Sequence, residues 1–455
     1  MKNKIFSKVG ILLAAMVLIN TSIQAQGWLD SINNITVHTN LSTESYAQKI
    51  KPYGTDYLIA LSNKDNPNYC FTAWTNGSPN ARKSALASSD FVVNDFVIFD
   101  DTLYFCGRHM NNQGDSVGYI GRFKVNKLIG IQNFSYDILD ITATEELTNL
   151  VAYKDDSNTT HVVAIGHAGA TGNPYGRVVC MDNLGHCYVV PSATTPQNRK
   201  EIFEDIAVGD NYVATVGRVY PSDSLVVRYY DKITPEEIMF QKRFVYYSAN
   251  IYLNTSIKEL DFPSHITSLA DGTMVIATSA LNNNNRYFTL INTLQEGDMQ
   301  ILSSRICRHQ TKDNKIFEMD YSFETDSLLI LHGEEKSNNY VYSTLLLNLQ
   351  TQPTYTVYAR EIPGIINHLS ILPNRRYALA GIDTSSNNSQ MLYVRLIDYF
   401  SSSCGNNIQF KIESIASLSS GNYTLMNQNF PNSSSWNTFT ATNDSCSLYI
   451  DCIDY

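Results

Sequence analysis

Apolar and polar positions alternate in short runs throughout the chain. Residues 204–231 read EDIAVGDNYVATVGRVYPSDSLVVRYYD, with apolar runs at 206–208, 212–216 and 225–230. A Gly209-Asp210-Asn211 turn separates the first two runs, and a polar loop separates the last two. β-branched and aromatic runs of this length, bounded by Gly, Asn and Asp, predict strands, and the tight turn predicts a hairpin. The same three-run paragraph recurs. Aligned on the residue after the second run, its copies fall at Ser62, Gly107, Gly166, Gly217, Ser279, Gly333 and Gly381. A weaker fourth run, such as HCYVV or YTVYAR, closes most copies.

Seven four-stranded units at this spacing predict an all-β fold, a seven-bladed β-propeller over residues 26–398. One such sheet cannot bury both faces by itself, whereas radially stacked sheets cover one another. A large β-sandwich is the alternative, but its turns would not hold a common register through seven copies. Residues 35–38 are expected to form a strand that closes the ring beside the last blade. Residues 399–455 break the register, are rich in Ser and Asn, and are expected to form a small β-rich C-terminal appendage.

Residues 1–25 predict a signal peptide. Lys2, Lys4 and Lys8 precede an apolar core, and Ala25 ends an acceptable cleavage site. The apolar core is too short to span a bilayer, so no membrane span is expected. The mature chain is expected to be exported, to the periplasm, the cell surface or the medium. The formal net charge is −10, and it becomes more negative once those lysines are removed. That balance argues against nucleic acid and anionic membranes as partners. Eight cysteines in an exported chain suggest disulfides. Cys180 and Cys187 flank a turn and are expected to pair, as are Cys446 and Cys452 in the tail. Zinc would call for paired CxxC spacing, which is absent. Neither a metal nor a cofactor is expected.

Two sets of residues carry candidate chemistry. A polar residue opens the first strand of each copy: Lys49, Asp95, Asn149, Asp205, His265, Asp320 and His368. In a propeller these would ring one mouth of the channel. Asp and His there would suit acid–base work, while the plainer role is to hold neighbouring backbone by hydrogen bonds. The second set follows the aligned residue. Arg108, His167 and Arg218 lie in successive copies and are expected to form an electropositive arc suited to carboxylate or sulfate. The motifs GxSxG, HExxH, GxGxxG and the phosphate-binding Gly-Lys-Ser/Thr loop are absent.

The units GDNYVATVGRVYPSDSLVVRYYD and NRRYALAGIDTSSNNSQMLYVRLID resemble a propeller repeat widespread in exported bacterial proteins. With the signal peptide and the Asn-, Tyr- and Ser-rich composition, the chain resembles an exported Bacteroidetes protein. That resemblance covers residues 48–398 and implies a fold, not a ligand. Two functions follow as expectations. The first is a non-catalytic binding or scaffold protein holding a protein or glycan at the loop-rich face. The second is a polysaccharide lyase or glycoside hydrolase using the Asp and His residues of the mouth.

Overall fold

A computed structural model describes residues 35–39, 45–54, 57–64, 68–75, 80–85, 91–129, 134–142, 144–169, 175–191, 200–220, 224–232, 246–251, 257–282, 284–296, 300–309, 313, 315–336, 339–348, 359–362, 365–372, 376–383, 391–398, 407–408, 410–414, 420–422, 430–432 and 437–453. The expected signal peptide and Cys404 lie outside the described residues. Apart from one short helix, α1 (Val125–Ile129), the described elements are strands.

The strands are grouped in antiparallel units. The first unit is β2 (Ser45–Tyr53), β3 (Tyr57–Lys64), β4 (Asn68–Thr75) and β5 (Asn80–Ala85). The second is β6 (Val92–Phe99), β7 (Thr102–Met110), β8 (Ser116–Lys124) and β9 (Phe134–Ile141). The third is β10 (Glu146–Lys154), β11 (Thr160–Ala168), β12 (Tyr175–Asp182) and β13 (Cys187–Pro191). The fourth is β14 (Lys200–Val208), β15 (Tyr212–Tyr220), β16 (Ser224–Asp231) and β17 (Tyr246–Ile251). The fifth is β18 (Ile257–Ser268), β19 (Met274–Asn282), β20 (Tyr287–Leu294) and β21 (Ile301–His309). The sixth is β22 (Lys315–Ser322), β23 (Ser327–Lys336), β24 (Asn339–Asn348) and β25 (Ala359–Ile362). The last is β26 (Ile365–Leu372), β27 (Arg376–Asp383) and β28 (Met391–Asp398), and its fourth strand is β1 (Ile35–Thr39). The segment expected beside the last unit is therefore paired there.

Period-two alternation sends neighbouring side chains of one strand into different cores. In β7, Leu103 and Phe105 join the cluster shared with the first unit, and Tyr104 and Cys106 join the cluster shared with the third. Each later pair of successive units shares a buried cluster in the same way. In the first of these cores Phe71 meets Phe105 and Phe123 edge to face at 5.5 Å, an arrangement the ring quadrupole favours.

The first strand of every unit is bulged. Its register shifts between Ala47 and Lys49, Val93 and Asp95, Leu147 and Asn149, Phe203 and Asp205, Asp261 and Ser264, Ile316 and Glu318, and Ile366 and His368. A bulge re-aims the side chain that follows it. It also explains the recurring glycine. Gly107, Gly166, Gly217 and Gly381 each pair with the residue just before the bulge. A Cβ at any of them would collide with the backbone carbonyl oxygen opposite.

The described strands between 407 and 453 do not form a separate appendage but pair with the units. β29 (Asn407–Ile408) pairs with β25, β30 (Phe410–Ser414) with β21, β31 (Ser420–Asn422) with β17, and β32 (Phe430–Asn432) with β13. The long β33 (Asn437–Ile453) then pairs in turn with β9, β5 and β1. The tail thus adds a fifth strand to every unit, visiting them in reverse order. Because β33 bridges three units, they merge into one 13-stranded sheet beside four five-stranded ones.

The expected disulfides need correcting. Cys180 pairs across the ladder with Tyr188, and Cys187 with Met181. This one-residue offset sends the two sulfurs to opposite faces of the sheet, Cys180 into one core and Cys187 into the next. Both are buried. Cys446 lies opposite Ala81 and Cys452 opposite Thr36 on the continuous strand β33. Six residues of extended chain span roughly 20 Å, well beyond the ~7 Å Cα separation a disulfide tolerates.

Candidate functional site

The bulges aim one polar side chain from each unit toward its neighbours. Lys49 Nζ lies 4.0 Å from Asp95 Oδ1 and 3.7 Å from Glu318 Oε2. Asn149 Nδ2 donates to Asp205 Oδ1 at 3.4 Å. His265 Nδ1 stands 3.6 Å from Asp205 and 3.5 Å from Glu318. His368 Nε2 is 3.7 Å from Glu318. Six of the residues expected to line one mouth therefore meet in a single cluster. The exception is Asp320. In the sixth unit His332, not Gly333, pairs with the residue before the bulge, so the mouth position falls to Glu318. Asp320 lies two residues further along the same strand.

Asp95, Asp205 and His368 of this cluster, with Asp320 and Ser279 beside it, also hold backbone of the following unit. Asp95 Oδ2 accepts from Leu150 N at 3.1 Å, Asp205 Oδ2 from Ile266 N at 2.9 Å, and Asp320 Oδ2 from Ile371 N at 2.9 Å. Ser279 Oγ accepts from Ile316 N at 2.9 Å. His368 Nδ1 accepts from Ile50 N at 3.3 Å, which ties the last unit to the first. A ring nitrogen that accepts carries no proton, so His368 is neutral here. Each bond gives a backbone N–H of a first strand an acceptor from the unit before it.

The cluster is shielded from solvent. Lys49 is 20% exposed, Glu318 14% and Asp95 5%. Burial works to discharge Lys49, but Glu318, Asp95 and Asp205 outweigh it and raise its pKa. Burial also opposes the charge on Glu318, yet Lys49 and His265 hold that carboxyl well below the usual range. Burial lowers His265, and Asp205 and Glu318 more than reverse this, raising it to about 9. Burial lowers His368, and Lys49 adds to the effect. Desolvation pushes Asp320 up to about 6. Two cations, Lys49 and His265, thus face three carboxylates, and each charge has its partner inside the cluster. Among the described residues, no group of three or more His, Cys, Asp or Glu is arranged to hold a metal ion.

Arg108, His167 and Arg218 occupy corresponding positions on the second strands of successive units. They do not form an unopposed positive arc. Arg108 Nε and His167 Nε2 both lie 3.8 Å from Glu146 Oε2, and Arg218 Nε lies 3.5 Å from Glu204 Oε1. Glu146 also accepts from Asn94 Nδ2 at 2.8 Å, and Glu204 from Ser264 N at 2.9 Å. Desolvation pushes Glu204 up to about 7, against the pull of Ser264 N and Arg218. The rim is therefore mixed in charge. Glu146, Glu204 and Glu318 were not picked out from the sequence. Glu204 stands directly before Asp205 just as Asn94 stands before Asp95, a spacing that marks the bulged position.

The chain matches no known family model and no curated protein. Among solved structures it is similar to a protein of unknown function from Dyadobacter fermentans DSM 18053, at 8% identity and a TM-score of 0.31, over 68% of this chain and 98% of that one.

Proposed function

We propose that the chain is an exported seven-bladed β-propeller that works as a non-catalytic binding or scaffold protein for a protein or glycan partner. Cyclic contact among the first strands supports the ring. β2 touches both β6 and β26, and β6, β10, β14, β18, β22 and β26 touch in that order. Ring closure by β1, paired with the last unit, points the same way. Export rests on the charged-then-apolar pattern of residues 1–25. The observation that carries the non-catalytic reading is how the mouth residues are used. Asp95, Asp205, Asp320 and His368 are each bonded to the backbone of the next unit. A group bonded in this way stabilises a junction and is not free to move a substrate proton. The partner would sit on the mixed rim of Arg108, His167, Arg218, Glu146 and Glu204.

One observation favours the enzyme reading. Glu204, held near neutral pKa beside His265 and Asp205, is the kind of carboxyl that serves as a general acid. The two readings separate in one experiment. The purified chain is screened against glycans and cross-linked to its native envelope, in parallel with Arg108→Ala/Arg218→Ala and Glu204→Gln. The binding reading expects capture that the double arginine variant loses and no release of sugar fragments. Release of reducing ends or unsaturated uronates that Glu204→Gln abolishes would replace it with the enzyme.

A further inference from the structure

At the end of the units opposite the interlocked cluster, a pocket of about 400 Å³ opens between the second and third units. That size lies within the range of small-ligand sites. Its walls come from the row Tyr104–Arg122–Asp137 across β7, β8 and β9, from α1, and from Thr160 and Asn183 of the third unit.

The ion pairs decide its charge. Asp100 is taken by Lys154 at 2.7 Å, and Asp137 by Arg122 at 3.6 Å. Arg122 Nη1 also donates to the carbonyl of Asn183 at 2.8 Å, which fixes the guanidinium across the junction. Two ammonium groups remain. Lys124 donates only to neutral acceptors, Thr102 Oγ1 at 2.7 Å and the Asp100 carbonyl at 3.4 Å. Lys127 is exposed on α1. Both carboxylates of the wall are neutralised, so the pocket carries an excess of about two positive charges in a chain of net charge −10. Hydroxyls from Thr102, Ser135 and Thr160 and the Tyr104 ring complete the lining.

We propose that this pocket binds an acidic carbohydrate of one or two rings, a uronate or a sulfated sugar. The two lysines meet the carboxylate or sulfate, the hydroxyls and the Asn183 amide meet the ring hydroxyls, and Tyr104 offers an apolar wall to the ring face. The site is separate from the mixed rim at the other end, so it stands or falls independently of the partner proposed there.

Calorimetric titration of the full chain tests it. The probes are digalacturonate, a sulfated galactose disaccharide, neutral cellobiose and sodium sulfate. Expected is binding of at least one acidic sugar at millimolar concentration or below, weakened by salt, with cellobiose and sulfate at least about tenfold weaker. Lys124→Gln/Lys127→Gln should lower that affinity at least about tenfold. Both lysines are exposed, so this variant should keep its unfolding temperature. The proposal is overturned if neither acidic sugar binds, if the lysine variant binds as the original does, or if sodium sulfate binds as tightly as the sugars. The last result would mean a simple anion site.

Discussion

The two edges of each unit are joined to their neighbours by different chemistry. At the first strands the joints are side chains: Asp95, Asp205, Ser279, Asp320 and His368 each hold one backbone N–H of the next unit, and Lys49 bridges Asp95 and Glu318. At the fourth strands the joint is backbone, supplied by residues 407–453. Side-chain joints depend on residue identity and on pH, and each can fail alone. The backbone belt depends on neither, but it is one continuous piece, so all its joints share a fate.

The largest effect should come from removing the belt. Deleting residues 399–455 would strip the fifth strand from every unit at once and leave the edges of β1, β5, β9, β13, β17, β21 and β25 open to other chains. The unfolding temperature should fall by more than roughly 10 °C, and the product should associate at micromolar concentration. Scanning calorimetry with size-exclusion chromatography reads both. An unchanged monomer would show that the side-chain joints alone suffice.

Next comes the charge bridge. Lys49→Met leaves Glu318 and Asp95 facing each other without their ammonium group. Breaking a buried pair in this way costs about 3–5 kcal/mol. Adding Glu318→Gln to that variant should recover part of the loss, and denaturant titration of the single and double variants measures the coupling. A smaller loss, about 2–3 kcal/mol, is expected from Gly217→Ala. Its methyl group would meet the carbonyl of Ile202, so the bulge that aims Asp205 would have to shift.

The pH dependence is specific to the first-strand edge. The folded pKa of His265 is raised to about 9, above the ordinary value of 6.5. Its stabilising contribution is therefore full below about pH 6.5 and is lost as pH rises through 9, a change of about 2–3 kcal/mol across that window. Thermal unfolding between pH 6.5 and 9.5 should show this decline, and His265→Gln should flatten it. The belt deletion should leave the slope in place if any folded product remains. The smallest effect concerns the sulfurs. Cys180 and Cys187 lie on opposite faces and cannot bond to each other, so reducing agent should move the unfolding temperature by less than about 1 °C. Both should react with a thiol reagent only after unfolding.

The strands and turns were legible because period-two alternation and Gly, Asn or Asp turns are local signals. So was the polar opening of the first strand, since Asp95, Asp205, His265 and His368 interrupt otherwise apolar runs. The sixth unit misled because the aligned glycine is displaced by one residue. His332 stands where other units have Gly or Ser, and counting from Gly333 selects Asp320 rather than Glu318. The cysteine pair failed for a related reason: a turn brackets two residues without revealing the one-residue offset that decides their faces. The carboxylates opposing Arg108, His167 and Arg218 are close in space through pairing between strands, which sequence spacing does not display. The belt was hidden because β29, β31 and β32 are only two or three residues long, too short for any periodicity.

The antiparallel pairing of β1 with β33 has a mechanical consequence. Ile35 lies opposite Ile453, so the two strands end side by side. A force drawing these ends apart would load the ladder one pair at a time, as a zipper opens, and not all pairs in parallel shear. Once β33 leaves β1, the pull passes to its pairs with β5 and β9, and then to β32, β31, β30 and β29 in turn. The tail should therefore peel away in small successive yields, releasing roughly 150 Å of extended chain before the four-stranded units bear load. Optical-tweezer records should show low, stepped rips ahead of the high-force events.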